Sequence, residues 1–323
     1  MEIINSSKDG FSEDKHENFH LDKIKVLETF TMKNIVQSLC MLNDGRLLTN
    51  ECLWLEEEEK GYDKLCVYTI KNGLECDINI DFQLVKDIYP LNDGNVLMIL
   101  TKKIIIIKIN KNSIEELWSE DGEKIKVNKL LNENFFIKKK SNKAIYKYDN
   151  GKLIIYKNLN ELNKKENIFC LCQITENEYA FITDKKKIFF GEKSYVIFYD
   201  MKKETKIKSL KLGDVNDCFN YLCLFNKNNM LVFGIHSIIL VDTVNKKIKK
   251  ELKYTLFFED CVFLNEKLIL HSEEHRLTLY EYIEPNDFVL KEKKDMKISE
   301  ISKYPGNKLI YFCSSGNKLG ILG

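Results

Sequence analysis

The chain has 323 residues, 44% of them apolar, which is enough for one large all-β domain or two smaller ones. Fifty basic and 49 acidic residues leave a net charge of +1, so no global electrostatic attraction to nucleic acid or to an anionic membrane is built in. Arg46 and Arg276 are the only arginines, which excludes chemistries that hold an anion in an arginine cluster.

Residues 1–20 are polar and mixed in charge, which predicts a flexible tail rather than a signal peptide. A strand-like run comes next, at 24–30 (IKVLETF). From there one short signature recurs seven times: an apolar or aromatic residue, a polar tight turn, then an apolar run. The copies start at Leu42 (LNDGRLL), Leu91 (LNDGNVL), Leu131 (LNENFFI), Ile174 (ITENEYAFI), Phe225 (FNKNNMLVF), Leu264 (LNEKLIL) and Tyr304 (YPGNKLIYF). Successive starts are 49, 40, 43, 51, 39 and 40 residues apart, a period that marks a stack of similar β units.

A second landmark trails each signature, a short β-branched or aromatic strand ending at Tyr68, Lys108, Tyr156, Tyr199, Val241, Tyr280 and Leu322. Each unit thus reads as four strands: a before the turn, b after it, c at the second landmark, then d. Asn, Asp and Gly supply the positive φ that the a–b turn needs. The seventh unit has no fourth strand of its own, and the spare run at 24–30 completes it. The expected fold is all-β: a single seven-bladed β-propeller over 21–323, of four-stranded antiparallel blades, with the N-terminal strand closing the last one. Three stretches read as insertions, at 50–64, 138–149 and 184–194.

The pattern resembles the WD-repeat propellers. The residues that carry it are the period, the strand-b turns and the strand-c endings Phe198-Tyr199-Asp200 and Leu240-Val241-Asp242, the place of that family's WD dipeptide. No Trp-Asp or Gly-His dipeptide occurs in the chain. The resemblance implies that b–c and d–a loops share one face of the disc and that the a–b turns lie on the other.

Loop chemistry on that first face gives the candidate partner-binding residues. Blade 1 offers Trp54 beside Glu56, Glu57, Glu58 and Glu59, an apolar anchor with four carboxylates. Blade 3 offers Lys138, Lys139 and Lys140, and blade 4 offers Lys185, Lys186 and Lys187. A face divided into acidic and basic sectors suits a complementary protein better than a nucleic-acid backbone.

No nucleophile elbow, phosphate-cradling glycine loop or kinase motif is present. His271 and His275 frame H-S-E-E-H, not H-E-x-x-H, so a metalloprotease is not indicated. The ten cysteines contain no C-x-x-C pair and read as buried reduced thiols, in keeping with the cytoplasm or nucleus. No apolar run approaches the length of a membrane span. The expectation is therefore a non-catalytic interaction scaffold: a monomeric propeller within a larger complex, with a protein partner and no cofactor or metal. The alternatives are a hydrolase or lyase using Glu273, His236 and His271 at the channel mouth, or a lipid- or nucleic-acid-binding adaptor.

Overall fold

In the computed structural model the backbone is described from 26 to 322 except at 32–34, 56–59, 70–72, 81–84, 111–112, 141, 167, 188–190, 215–218, 220, 254–257, 265–266, 273–275, 284–286, 296–297, 305–307 and 314–317. Side chains are described, with small gaps, within 39–51, 64–69, 85–183, 194–212 and 219–253.

The first strand, β1 (Val26–Thr31), shares no sheet with its immediate successors. Blade 1 is β2 (Ile35–Met41), β3 (Leu47–Leu55), β4 (Lys60–Thr69) and β5 (Gly73–Ile80). Blade 2 is β6 (Val85–Pro90), β7 (Val96–Leu100), β8 (Lys103–Ile109) and β9 (Ile114–Asp121). Blade 3 is β10 (Lys126–Lys129), β11 (Asn134–Lys138), β12 (Lys143–Asp149) and β13 (Lys152–Asn158), and the helix α1 (Asn160–Glu166) leads out of it. Blade 4 is β14 (Ile168–Gln173), β15 (Glu178–Lys187), β16 (Gly191–Asp200) and β17 (Thr205–Asp214). Blade 5 is β18 (Tyr221–Asn226), β19 (Asn229–Phe233), β20 (Ser237–Asp242) and β21 (Lys247–Lys253). Blade 6 is β22 (Phe258–Leu264), β23 (Lys267–Ser272), β24 (Arg276–Ile283) and β25 (Asp287–Asp295). Blade 7 is β26 (Ile298–Tyr304), β27 (Lys308–Cys313), β28 (Lys318–Leu322) and, as its outer strand, β1.

The described strands thus form seven four-stranded antiparallel sheets. The chain closes its own ring, because β1 pairs with β28 in the register Phe30↔Leu319. Blade 1 meets its neighbours through β2, which lies against both β6 and β26.

Burial follows from stacking. The five residues of β7 and the five of β19 are all buried, because each b strand is covered by a blade on both sides. Side chains alternate between the two covers. Phe135, Ile137, Ala144 and Tyr146 pack with Leu97, Ile99 and Ile106 of blade 2. Phe136 and Ile145 turn the other way and pack with Ile168, Leu171 and Phe181 of blade 4. The outer strands are half wet, as β9 and β21 show.

The recurring turns have repeated chemistry. Gly45 and Gly94 sit at φ 82° and 86°, a region open to glycine at no steric cost. In both turns the leading leucine accepts a hydrogen bond from the glycine N–H at 3.0 Å. The aspartate before the glycine accepts from the backbone N–H two residues on, at 3.0 Å for Asp44–Arg46 and for Asp93–Asn95. The turns also link blade to blade. Asn43 Nδ2 donates to the Leu91 carbonyl at 2.6 Å, and Tyr148 Oη donates to Asp93 Oδ2. The Lys246–Glu178 ion pair, at 2.8 Å, joins blade 5 to blade 4.

One sequence assignment is corrected. The run 153–156 belongs to β13, the outer strand of blade 3, and not to strand c. Strand c is β12, so 138–149 is no insertion, and the 149–151 turn joins c to d. Apolar content misled here: Ile154, Ile155 and Tyr156 are 43%, 50% and 60% exposed.

The aspartates that end strand c are turn caps. Asp200 Oδ1 accepts from the N–H groups of Lys202 and Lys203, and Asp242 Oδ1 from those of Val244 and Asn245 at 2.9 and 2.8 Å. Burial pushes the Asp242 carboxyl up, but the bonds from Asn245 and Val244, with Lys249 nearby, outweigh it and hold the carboxyl below its ordinary value. A group depressed in the folded state adds stability above its unfolded pKa and loses it as pH falls through the folded one. Asp242→Ala is therefore expected to cost about 1–2 kcal/mol at pH 7 and progressively less toward pH 3, measured by urea unfolding at both pH values. An equal cost at both would refute the charged cap.

Candidate functional site on the b–c face

Two blades carry longer b–c hairpins than the rest. The pairing of β3 with β4 runs for nine positions and that of β15 with β16 for ten. The equivalent hairpins of blades 2, 3 and 5 run for four, five and five. The b strands of all five start at the same recurring turn, so the surplus lies at the b–c end. Four or five extra residues at about 3.3 Å each make an arm of about 15 Å. Blades 1 and 4 stand three places apart in a ring of seven, so the arms rise on nearly opposite sides of the channel mouth.

These arms hold two of the three candidate clusters. Trp54 lies in β3 opposite Gly61, so the first arm is a strand extension rather than an irregular loop. Lys185, Lys186 and Lys187 lie in β15 opposite Lys193, Glu192 and Gly191. Glu56, Glu57, Glu58 and Glu59, and the side chains of Trp54 and Lys185–Lys187, lie outside the described residues.

The third cluster is resolved into unlike members by strand alternation. Lys139 is buried and faces blade 2, where its Nζ pairs with Glu120 at 2.5 Å and lies 5.7 Å from the Tyr146 ring centroid. Lys140 is exposed and pairs with Glu123 at 2.8 Å. Lys138 turns toward blade 4, its Nζ 5.0 Å from the centroid of Phe169. Directly beside it in register are Lys126 on β10 and Lys143 on β12. Lys143 Nζ donates to the Ile168 carbonyl at 2.9 Å, and its backbone N–H donates to Asn160 Oδ1 at the start of α1.

No family model matches the chain, and no curated protein matches it by sequence. Solved structures do. A β-propeller domain of Cps50 (Swd1) from Myceliophteria thermophila superposes with a TM-score of 0.63 at 11% identity, covering 93% of this chain and 99% of that one. A chain of the mitotic checkpoint complex gives 0.62 at 8% identity over 97% and 98%. The WD40 β-propeller domain of Doa1 gives 0.56 at 11% identity over 93% and 97%. The fold is that of the WD40 propellers. At such low identity the likeness speaks for architecture alone.

In this WD40-type propeller the basic run at 138–140 was legible from sequence, but Lys126 and Lys143 were not singled out. The signal was available: a hairpin centred on 140–141 brings 143 opposite 138. Of the channel-mouth candidates, His236 sits exposed in the β19–β20 turn and His271 lies in β23 opposite Leu277. Glu273 and His275 lie outside the described residues. Among the described residues no helix is long and apolar enough to cross a membrane.

Proposed function

We propose that this propeller is a non-catalytic scaffold that binds a protein partner through its b–c face, as one subunit of a larger complex in the cytoplasm or nucleus. The observation that supports this reading is the pair of arms on opposite sides of the channel mouth. Their sequences carry opposite charge: Glu56–Glu59 joins the strands of the first, and Lys185–Lys187 with Lys193 lines the second. A rigid disc with two arms of opposite sign selects a partner with complementary, segregated charge, and excludes one of uniform sign.

Affinity purification from the native cell tests it. The wild-type chain is expected to retain a partner that is lost when Glu56, Glu57, Glu58 and Glu59 are changed to lysine. A second bait, with Lys185, Lys186 and Lys187 changed to glutamate, should lose the same partner. Identical protein sets on all three baits would sink the proposal.

A further inference from the structure

Between the arms, at the junction of blades 3 and 4, lies a feature that partner binding through the arms does not use. Lys126, Lys138 and Lys143 are successive cross-strand partners on β10, β11 and β12. Directly opposed residues of antiparallel strands share a face and stand about 5 Å apart, so three lysine stems form a row about 10 Å long. The row caps the apolar contact of Phe136 and Ile145 with blade 4 at its b–c end. Exposure rises along it: Lys143 is buried, Lys138 half-buried, and Lys126, on the innermost strand, exposed. The row thus opens toward the channel mouth.

Like charges placed opposite each other destabilise a sheet, and Lys126 stands directly opposite Lys138. The neighbouring lysines avoid that cost, since Lys139 has Glu120 and Lys140 has Glu123. Among the described residues no carboxylate forms an ion pair with Lys126 or Lys138. Burial, and then the charge of Lys138, pull the Lys143 ammonium down to about 8. From blade 4 the row meets the Phe169 ring and the Ile168 carbonyl.

We propose that this row is an anion site that takes a phosphoryl group. A phosphoryl group carries nearly two negative charges and three acceptor oxygens, so one group can serve Lys126 and Lys138 together, with Lys143 beside them in register. Lysine binds phosphate as a point charge and needs no planar fork, which suits a chain with two arginines. The carrier is either a phosphorylated serine or threonine of the protein partner or free phosphate. The site rests on the partner-binding reading only for the first of these.

Thermal unfolding of the full chain in sodium phosphate and in sodium chloride of equal ionic strength tests the site. Phosphate is expected to raise the midpoint of the wild type by several degrees, by binding the folded state alone. The rise should vanish in Lys126→Gln/Lys138→Gln and persist in Lys140→Gln, whose partner is Glu123. The double variant removes repulsion, so its midpoint in chloride should equal or exceed that of the wild type. Equal wild-type midpoints in the two salts, or a phosphate response that survives the double substitution, would overturn the site. A glycine-flanked phosphoserine peptide then identifies the carrier. Binding at least about ten-fold tighter than its unphosphorylated twin assigns a protein-borne phosphoryl group. No gain over the twin, with the phosphate response intact, assigns free phosphate. The variants that test the arms use other residues, so either proposal can fail while the other stands.

Discussion

A chain lacking residues 1–31 is expected to unfold about 10 °C lower than the full one and to self-associate. The reason is the seam of the ring. β1 is the outer strand of blade 7 and pairs along β28 from Thr31↔Lys318 to Val26↔Leu322. Its removal deletes a row of backbone hydrogen bonds, each worth about 1 kcal/mol net. About five such bonds, at about 2 °C per kcal/mol for a chain of this size, give the stated drop. It also bares the N–H and C=O groups along β28, a template for pairing with another copy. The measurement is a melting curve with size-exclusion chromatography. A synthetic peptide of residues 24–32, added in trans, should restore both readouts, whereas a scrambled peptide should not. A truncated chain that stays monomeric and melts at the original temperature would show that the seam does not hold the ring.

That seam was legible in the sequence because closure is a matter of arithmetic: a last unit with three strands and a spare strand at the start. The turns were legible because their chemistry is local. Leu42-Asn43-Asp44-Gly45 and Leu91-Asn92-Asp93-Gly94 carry in four residues all the acceptors and the positive φ that the turn requires. Asp200 and Asp242 were found by position, while their role as caps for the N–H groups two and three residues on needed the structure. Blade 3 was misread because β-branched composition does not say which strand is buried. Ile154 and Ile155 look like core and face solvent, while Lys143, which looks like surface, is buried. The lysine run illustrates the same limit. Three consecutive lysines are one motif in sequence, but a strand sends them to two faces. Their carboxylate partners, Glu120 and Glu123, come from the preceding blade and the segment after it, and no local pattern announces them.

The largest single-residue effect is expected in blade 1, where an acidic side chain is fully buried. Glu51 is 0% exposed, as is Thr49 two residues before it on β3. Thr49 Oγ1 donates to Glu51 Oε1 at 3.0 Å, and Tyr68 Oη on β4 donates to the same oxygen. These residues lie on the face of blade 1 opposite the one that Leu48, Leu65 and Val67 pack against blade 2. Burial pushes the Cys66 thiol up to about 12, and the nearby Glu51 carboxylate adds to the shift. Glu51→Ala leaves a cavity and takes the carboxylate from the half-buried Tyr68 hydroxyl, while Thr49 Oγ1 keeps only the Cys66 carbonyl at 3.4 Å, so a loss of about 3 kcal/mol is expected. Tyr68→Phe removes one donor and keeps the volume, so about 2 kcal/mol is expected. The costs should not add. Glu51→Leu with Tyr68→Phe removes the acceptor and one donor together, and should be more stable than Glu51→Leu alone, because a buried polar group without a partner costs more than an apolar pair of similar volume. Urea unfolding of the four chains measures the coupling. If the double substitution costs the sum of its parts, Tyr68 and Glu51 act independently, and the network is only two neighbouring side chains that happen to touch.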